Sequence, residues 1–131
     1  MESILKYPGE LLILLFLIVT FLQSGIDKLT DWGGNVSFIK DHFKSSPLKN
    51  MVPLLLGVVL ITEVVAALFM IVGIYQIISS GVKEFAIYGI ELSAITLIFL
   101  LVGQRLAKDY AGAMTLAVYF IITIFGLFIM T

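Results

Sequence analysis

Four apolar stretches, at about 8–28, 51–78, 85–106 and 112–130, take up most of this 131-residue chain and constrain it more than any other feature. A bilayer core about 30 Å thick needs roughly 20 apolar residues in helical conformation, and each stretch comes close to or reaches that length. The runs lack the strict alternation of membrane strands, and backbone groups in lipid must be satisfied within the segment, so helices follow rather than a barrel. The expectation is an all-α protein, one integral-membrane four-helix bundle in a lipid bilayer. With 60% hydrophobic and 13% charged residues, a water-soluble fold could not hide this surface.

The first stretch is uninterrupted only from Leu11 to Leu22, so a full span either carries Gln23, Ser24, Gly25 and Ile26 into the membrane boundary or begins earlier than Pro8. A secretory leader is the competing reading, because Lys6 precedes the apolar run. Leu22-Gln23-Ser24-Gly25 lacks the small-x-small cleavage pattern, which favours an uncleaved span. The second stretch has Pro53 in its first turn, where a missing N–H costs nothing, and is interrupted by Glu63. The third follows the Ser79-Ser80-Gly81 break, carries Glu91 and ends at Gln104-Arg105; the fourth is free of charge. Between the first two, Val36, Ile39 and Phe43 recur at helical spacing, with Lys40 and Lys44 on another face and Trp32 nearby. This predicts a short helix that either lies in the membrane interface or caps the bundle.

The 8 Lys and Arg nearly cancel the 9 Asp and Glu, so nucleic acid is not an expected partner. With no cysteine, disulfides, thiol catalysis and thiolate metal or cluster sites are excluded, and His42 is the sole imidazole. No metal site and no intrinsic cofactor are expected. Four crossings put both termini and the 79–84 turn on one side. Lys28, Lys40, Lys44, Lys49, Arg105 and Lys108 gather on the other, against Lys6 and Lys83, so the positive-inside rule places the larger loop in the cytoplasm and the termini outside.

A carboxylate in the bilayer costs roughly 2.5–3.5 kcal/mol on insertion scales, so Glu63 and Glu91 are expected to face the bundle interior. At 1.5 Å per residue Glu63 lies about 18 Å from the start of its helix and Glu91 about 22 Å from the end of the next, antiparallel one. They are then at similar heights. Facing each other they would share a proton; alternatively each only fixes packing. Gln23 with Asp27, and Ser24 with Lys28, share helix faces at i and i+4, and Gln104, Arg105, Lys108 and Asp109 end the third span on that same side. Positions 91 and 105 return to nearly the same helical face, so Glu91 and Arg105 are expected to line one interior groove about 21 Å long, with Tyr119 and Thr123 contributing from the fourth span. An apolar-walled slot with polar ends suits a quinone or lipid headgroup, with Arg105 or Lys28 as donor and a carboxyl as proton acceptor. The alternative is snorkelling and interfacial salt bridging, above all for Lys108.

Phe21-Leu22-Gln23-Ser24-Gly25-Ile26-Asp27-Lys28-Leu29, with Glu63 and Gly73 in the second span, resembles the signature of the DoxX family of small four-helix membrane proteins. Gln104-Arg105-Leu106-Ala107-Lys108-Asp109-Tyr110-Ala111-Gly112-Ala113, with Tyr119-Phe120, is similar to a run in a bacterial subgroup of that family. The resemblance implies a four-helix bundle in the bacterial cytoplasmic membrane and a tie to quinone-linked oxidation. It makes Gly25, Lys28, Glu63 and Gly73 the family-pattern residues and Gln104, Arg105, Asp109 and Tyr110 the subgroup residues. Where members often carry an arginine near the start of the first span, this chain has Lys6. The leading expectation is an accessory or subunit of quinone-linked oxidoreduction, with a quinone or lipid-like ligand among Lys28, Glu63, Glu91 and Arg105. A proton or small-solute pathway, or a non-catalytic partner of another membrane protein or of its own copies, are the alternatives.

Overall fold

The computed structural model describes residues 5–131. From Pro8 onward the described residues form five successive helices: α1 (Pro8–Thr30), α2 (Trp32–His42), α3 (Val52–Ser80), α4 (Glu84–Leu106) and α5 (Tyr110–Met130). The all-α expectation is met. α1, α3, α4 and α5 are each long and apolar enough to cross a membrane. Only 22% to 39% of each apolar stretch is buried inside the bundle, so most of this surface faces outward. Helices that are hydrophobic all round in so small a protein are solvated by lipid.

Local chemistry sets the ends. Pro8 and Pro53 occupy first turns. Gly81 ends α3 in the left-handed region at φ 74°, which glycine adopts at no steric cost, and so permits the short turn into α4. The Gln76 side-chain oxygen Oε1 accepts from the Phe85 N–H at 3.3 Å and satisfies one donor at the start of α4. Asp31 and Asp109 are the N-caps of α2 and α5, their carboxylates accepting from Gly34 and Gly112.

The four long helices form a ring in the order α1, α3, α4, α5. α3 and α4 are the most closely joined, and the seam between α5 and α1 is the loosest. A Cβ built on Gly73 would stand 2.6 Å from the Ala86 backbone, so the two helices touch there main chain to main chain. Close approach through small residues replaces the hydrophobic effect as the packing force in lipid. The buried core, including Leu14, Leu17, Met70, Ile77, Ala86 and Ile90, fills this end and the middle of the bundle. At the same end Lys83 Nζ lies 3.3 Å from Glu10 Oε2 and 4.6 Å from the centre of the Tyr7 ring.

The short helix α2 forms where its stripe predicted. Val36, Ile39 and Phe43 are half-buried against the bundle while Phe38 is exposed. α2 therefore caps the loop end, packing on α1 and α3.

Candidate functional site

Glu63 lies about 16 Å along α3 from its first residue, well inside a span, and its side chain is 2% exposed. A carboxylate at that depth needs compensation, and α1 supplies it. Lys28 Nζ stands 2.9 Å from Glu63 Oε1. The approach lies off the hydrogen-bonding direction, so Oε1 has charge compensation but no aligned hydrogen bond. Lys28 also donates to Ser24 Oγ at 2.6 Å, one turn back, which pulls the ammonium down the helix toward Glu63. Gly25 makes the meeting geometrically easy: a Cβ there would stand 3.3 Å from Val64 Cγ2, so α1 and α3 pack closely beside the pair.

Glu63 of this pair borders a cavity of about 410 Å³ walled also by Gln23, Ser24, Asp27, Leu97 and Tyr119, among others. The wall draws on α1, α3, α4 and α5, and the residues from α1 and α5 lie on either side of the loose seam. Gln23 and Asp27, exposed at its rim, make the mouth polar, whereas Leu97 and Leu116 make its floor apolar.

Beside it, at the loop end, lies a second cavity of about 530 Å³ between α3 and α4 under the α2 cap. Its lining is almost entirely aliphatic and aromatic. The polar exceptions are His42, Gln104 and Asp109, and Thr62 and Thr96, whose hydroxyls are spent on the backbone carbonyls of Val59 and Leu92. His42 Nε2 lies 2.9 Å from Gln104 Oε1 and 3.4 Å from Asp109 Oδ2. Leu100 and Leu116 border both cavities and separate them.

Of the residues singled out in the sequence, Gln23, Asp27, Glu63 and Tyr119 line the first cavity, with Lys28 joined to it through Glu63, and Gln104 and Asp109 line the second. Glu91 and Arg105 need correction. They share one face of α4, as their spacing requires, but it is the outer face, and both are exposed. The reason is that small residues choose the inner face: Ala86, Gly89, Ser93 and Ala94 are buried, and at 100° per residue Glu91 falls about 200° from Gly89. Glu91 therefore does not face Glu63, no interior groove joins it to Arg105, and the Arg105 guanidinium lies 5.1 Å over the Tyr110 ring instead. Thr123 spends its hydroxyl on the Tyr119 carbonyl at 2.7 Å and reaches no carboxylate. Lys108 is exposed in the α4–α5 turn, consistent with a solvated role.

His42 is the site residue that the sequence reading passed over. Its signal was available: it falls three residues after Ile39, beside the stripe that packs α2 down, and Gln104 and Asp109 had already been placed at this end.

An all-α membrane bundle with an ion pair sunk into its wall defines a class of small polytopic membrane protein. Within that class the chain belongs to the DoxX family, whose model, DoxX, matches residues 9–104. The match takes in Gly25, Lys28, Glu63 and Gly73 and ends at Gln104. No curated protein and no solved structure matches the chain.

Proposed function

We propose that this DoxX-family protein serves quinone-linked membrane oxidoreduction as an accessory or subunit, holding a quinone or a lipid head of similar shape beside Lys28 and Glu63. The observation that carries this reading is the buried pair itself: a carboxylate oxygen without an aligned hydrogen bond, next to an ammonium, in a cavity set in the loosest seam of the bundle. A hydrogen-bond acceptor entering the cavity would take a donor from Lys28, while Glu63 exchanges a proton with a ligand hydroxyl. Among the described side chains none is a redox centre, so electrons would pass between the bound ligand and a partner protein. The same reading puts the protein in the bacterial cytoplasmic membrane with its loop end inside.

The test is native mass spectrometry of gently purified protein, with lipid extraction, on wild type, Glu63→Gln and Arg105→Gln. A quinone retained by wild type and Arg105→Gln but lost from Glu63→Gln supports the proposal. Empty wild-type protein, or equal retention by all three, overturns it.

A proton path through a facing Glu63–Glu91 pair loses its geometry with the outward turn of Glu91. That turn favours a second reading, an assembly partner, because a carboxyl on the outer face of a span is costly unless another protein covers it. Co-purification of a stoichiometric membrane partner that Glu91→Leu releases and Glu63→Gln does not would support it; retention by Glu91→Leu would count against it.

A further inference from the structure

The 530 Å³ cavity under α2 is separated by Leu100 and Leu116 from the pair that the proposed function uses, and it has its own polar end. α3 and α4 touch at Gly73 and Ala86, then part toward the loops, and Gly103 leaves the α4 wall without a side chain; a Cβ there would meet only Phe43, at 3.6 Å. Several lining residues, Phe38, Val58, Phe99 and Leu106, are large, apolar and exposed. The mouth is thus rimmed by hydrocarbon, on the surface that the spans present to the bilayer. What enters this way is soluble in lipid.

The polar end specifies the head. Gln104 Oε1 and Asp109 Oδ2 both accept, so the Nε2 that faces them carries the hydrogen. Asp109 is itself held by the Gly112 N–H at 2.9 Å, and Gly112 lies so near Gln104 that a Cβ there would stand 2.8 Å from its Nε2. The trio is therefore fixed by the turn into α5. In a neutral imidazole with its hydrogen on Nε2, Nδ1 is an acceptor, and no hydrogen bond from the described residues engages it. Asp109 Oδ2 accepts as well. Both groups call for a donor.

We infer that this cavity is a second ligand site, for a neutral lipid-soluble alcohol or phenol whose hydroxyl donates to His42 Nδ1 while its ring or chain fills the space between α3 and α4. It stands independently of the Lys28–Glu63 reading.

The probe is 4-octylphenol, compared with 4-octylanisole, which has the same body and no donor, titrated against detergent-solubilised full-length protein and read by native mass spectrometry. Four forms are compared: wild type, Gly103→Leu, which fills the cavity from its wall, His42→Phe, and Glu63→Gln. Wild type and Glu63→Gln are expected to bind the phenol at least tenfold more tightly than the anisole. Gly103→Leu should lose the phenol, and His42→Phe should bind phenol and anisole to within about threefold of each other. Equal binding of the two probes by wild type overturns the proposal, as does undiminished binding by a Gly103→Leu protein of native helix content and size. Loss of the phenol from Glu63→Gln alone overturns it too, by placing the probe in the other cavity.

Discussion

Toward the termini, Gly73 lies against the Ala86 backbone, Gly89 against Met70 and Gly126 against Ile13. Toward the loops the same helices part around cavities of 410 and 530 Å³, edged by Gln23, Glu63, His42 and Asp109. Both ends have ion pairs, but they are used differently. Lys83 and Glu10 tie α4 to α1 at the edge of a filled core. Glu63, paired with Lys28, borders empty space. A bundle this small has one end that supplies stability through close packing and another that gives up packing to keep polar groups within reach of a ligand. That division is the expected one where function draws on the less stable part of a fold.

The comparison is broken most forcefully by removing one charge. Lys28→Met leaves Glu63 buried without compensation, and an uncompensated buried charge costs about 3–5 kcal/mol. Thermal unfolding in detergent should show that loss, and the Lys28→Met, Glu63→Leu double variant should recover most of it; a double variant as unstable as the single would mean the pair is not one unit.

The two ends are compared directly by the same substitution at two glycines. Gly73→Ala forces a methyl into the Ala86 backbone and should cost about 1–3 kcal/mol. Gly103→Ala meets only ordinary contact and should gain roughly 0.5–1 kcal/mol from helix propensity. Equal effects in unfolding experiments would erase the distinction between the ends.

Asp109→Ala removes the α5 cap and a His42 contact together, with a loss of roughly 1–2 kcal/mol expected. His42→Phe should cost less, since the cap survives. The smallest effect belongs to Lys108, which stands at φ 64° in the α4–α5 turn. Lys108→Gly relieves a left-handed conformation that costs roughly 1–2 kcal/mol and adds unfolded-state entropy of about half that, so unfolding should shift upward by no more than about 1 kcal/mol. A loss would mean that the lysine side chain holds the turn.

The helices were legible because length and hydropathy alone decide spans, and i, i+4 spacing was enough to pair Ser24 with Lys28 and to put Gln23 and Asp27 on one cavity wall. The exposure of the two membrane carboxyls was not. Glu63 and Glu91 look alike on the chain, each a lone acid in an apolar run. What separates them is the stripe of Ala86, Gly89, Ser93 and Ala94, which turns α4 inward on one side and carries Glu91 out on the other. Small residues rather than charges set helix rotation here, because lipid gives no hydrophobic preference for burying Leu over Ala. His42 was obscured for a different reason. Its partners lie 62 and 67 positions away, and only the folding of α2 back over α3 and α4 brings them together.

The absence of cysteine allows the central claim, an accessible polar cavity at one end and a sealed core at the other, to be tested by thiol labelling. Serine to cysteine is a near-isosteric change, and Ser24 and Ser93 provide one position in each environment: Ser24 on the wall of the cavity, Ser93 buried among α4 and Met70. A thiol reacts only where water can support its thiolate. Single variants Ser24→Cys and Ser93→Cys, treated in native membranes with a water-soluble maleimide, should give rapid labelling at 24 and essentially none at 93. Equal labelling of the two, or labelling at 93 alone, would contradict the account.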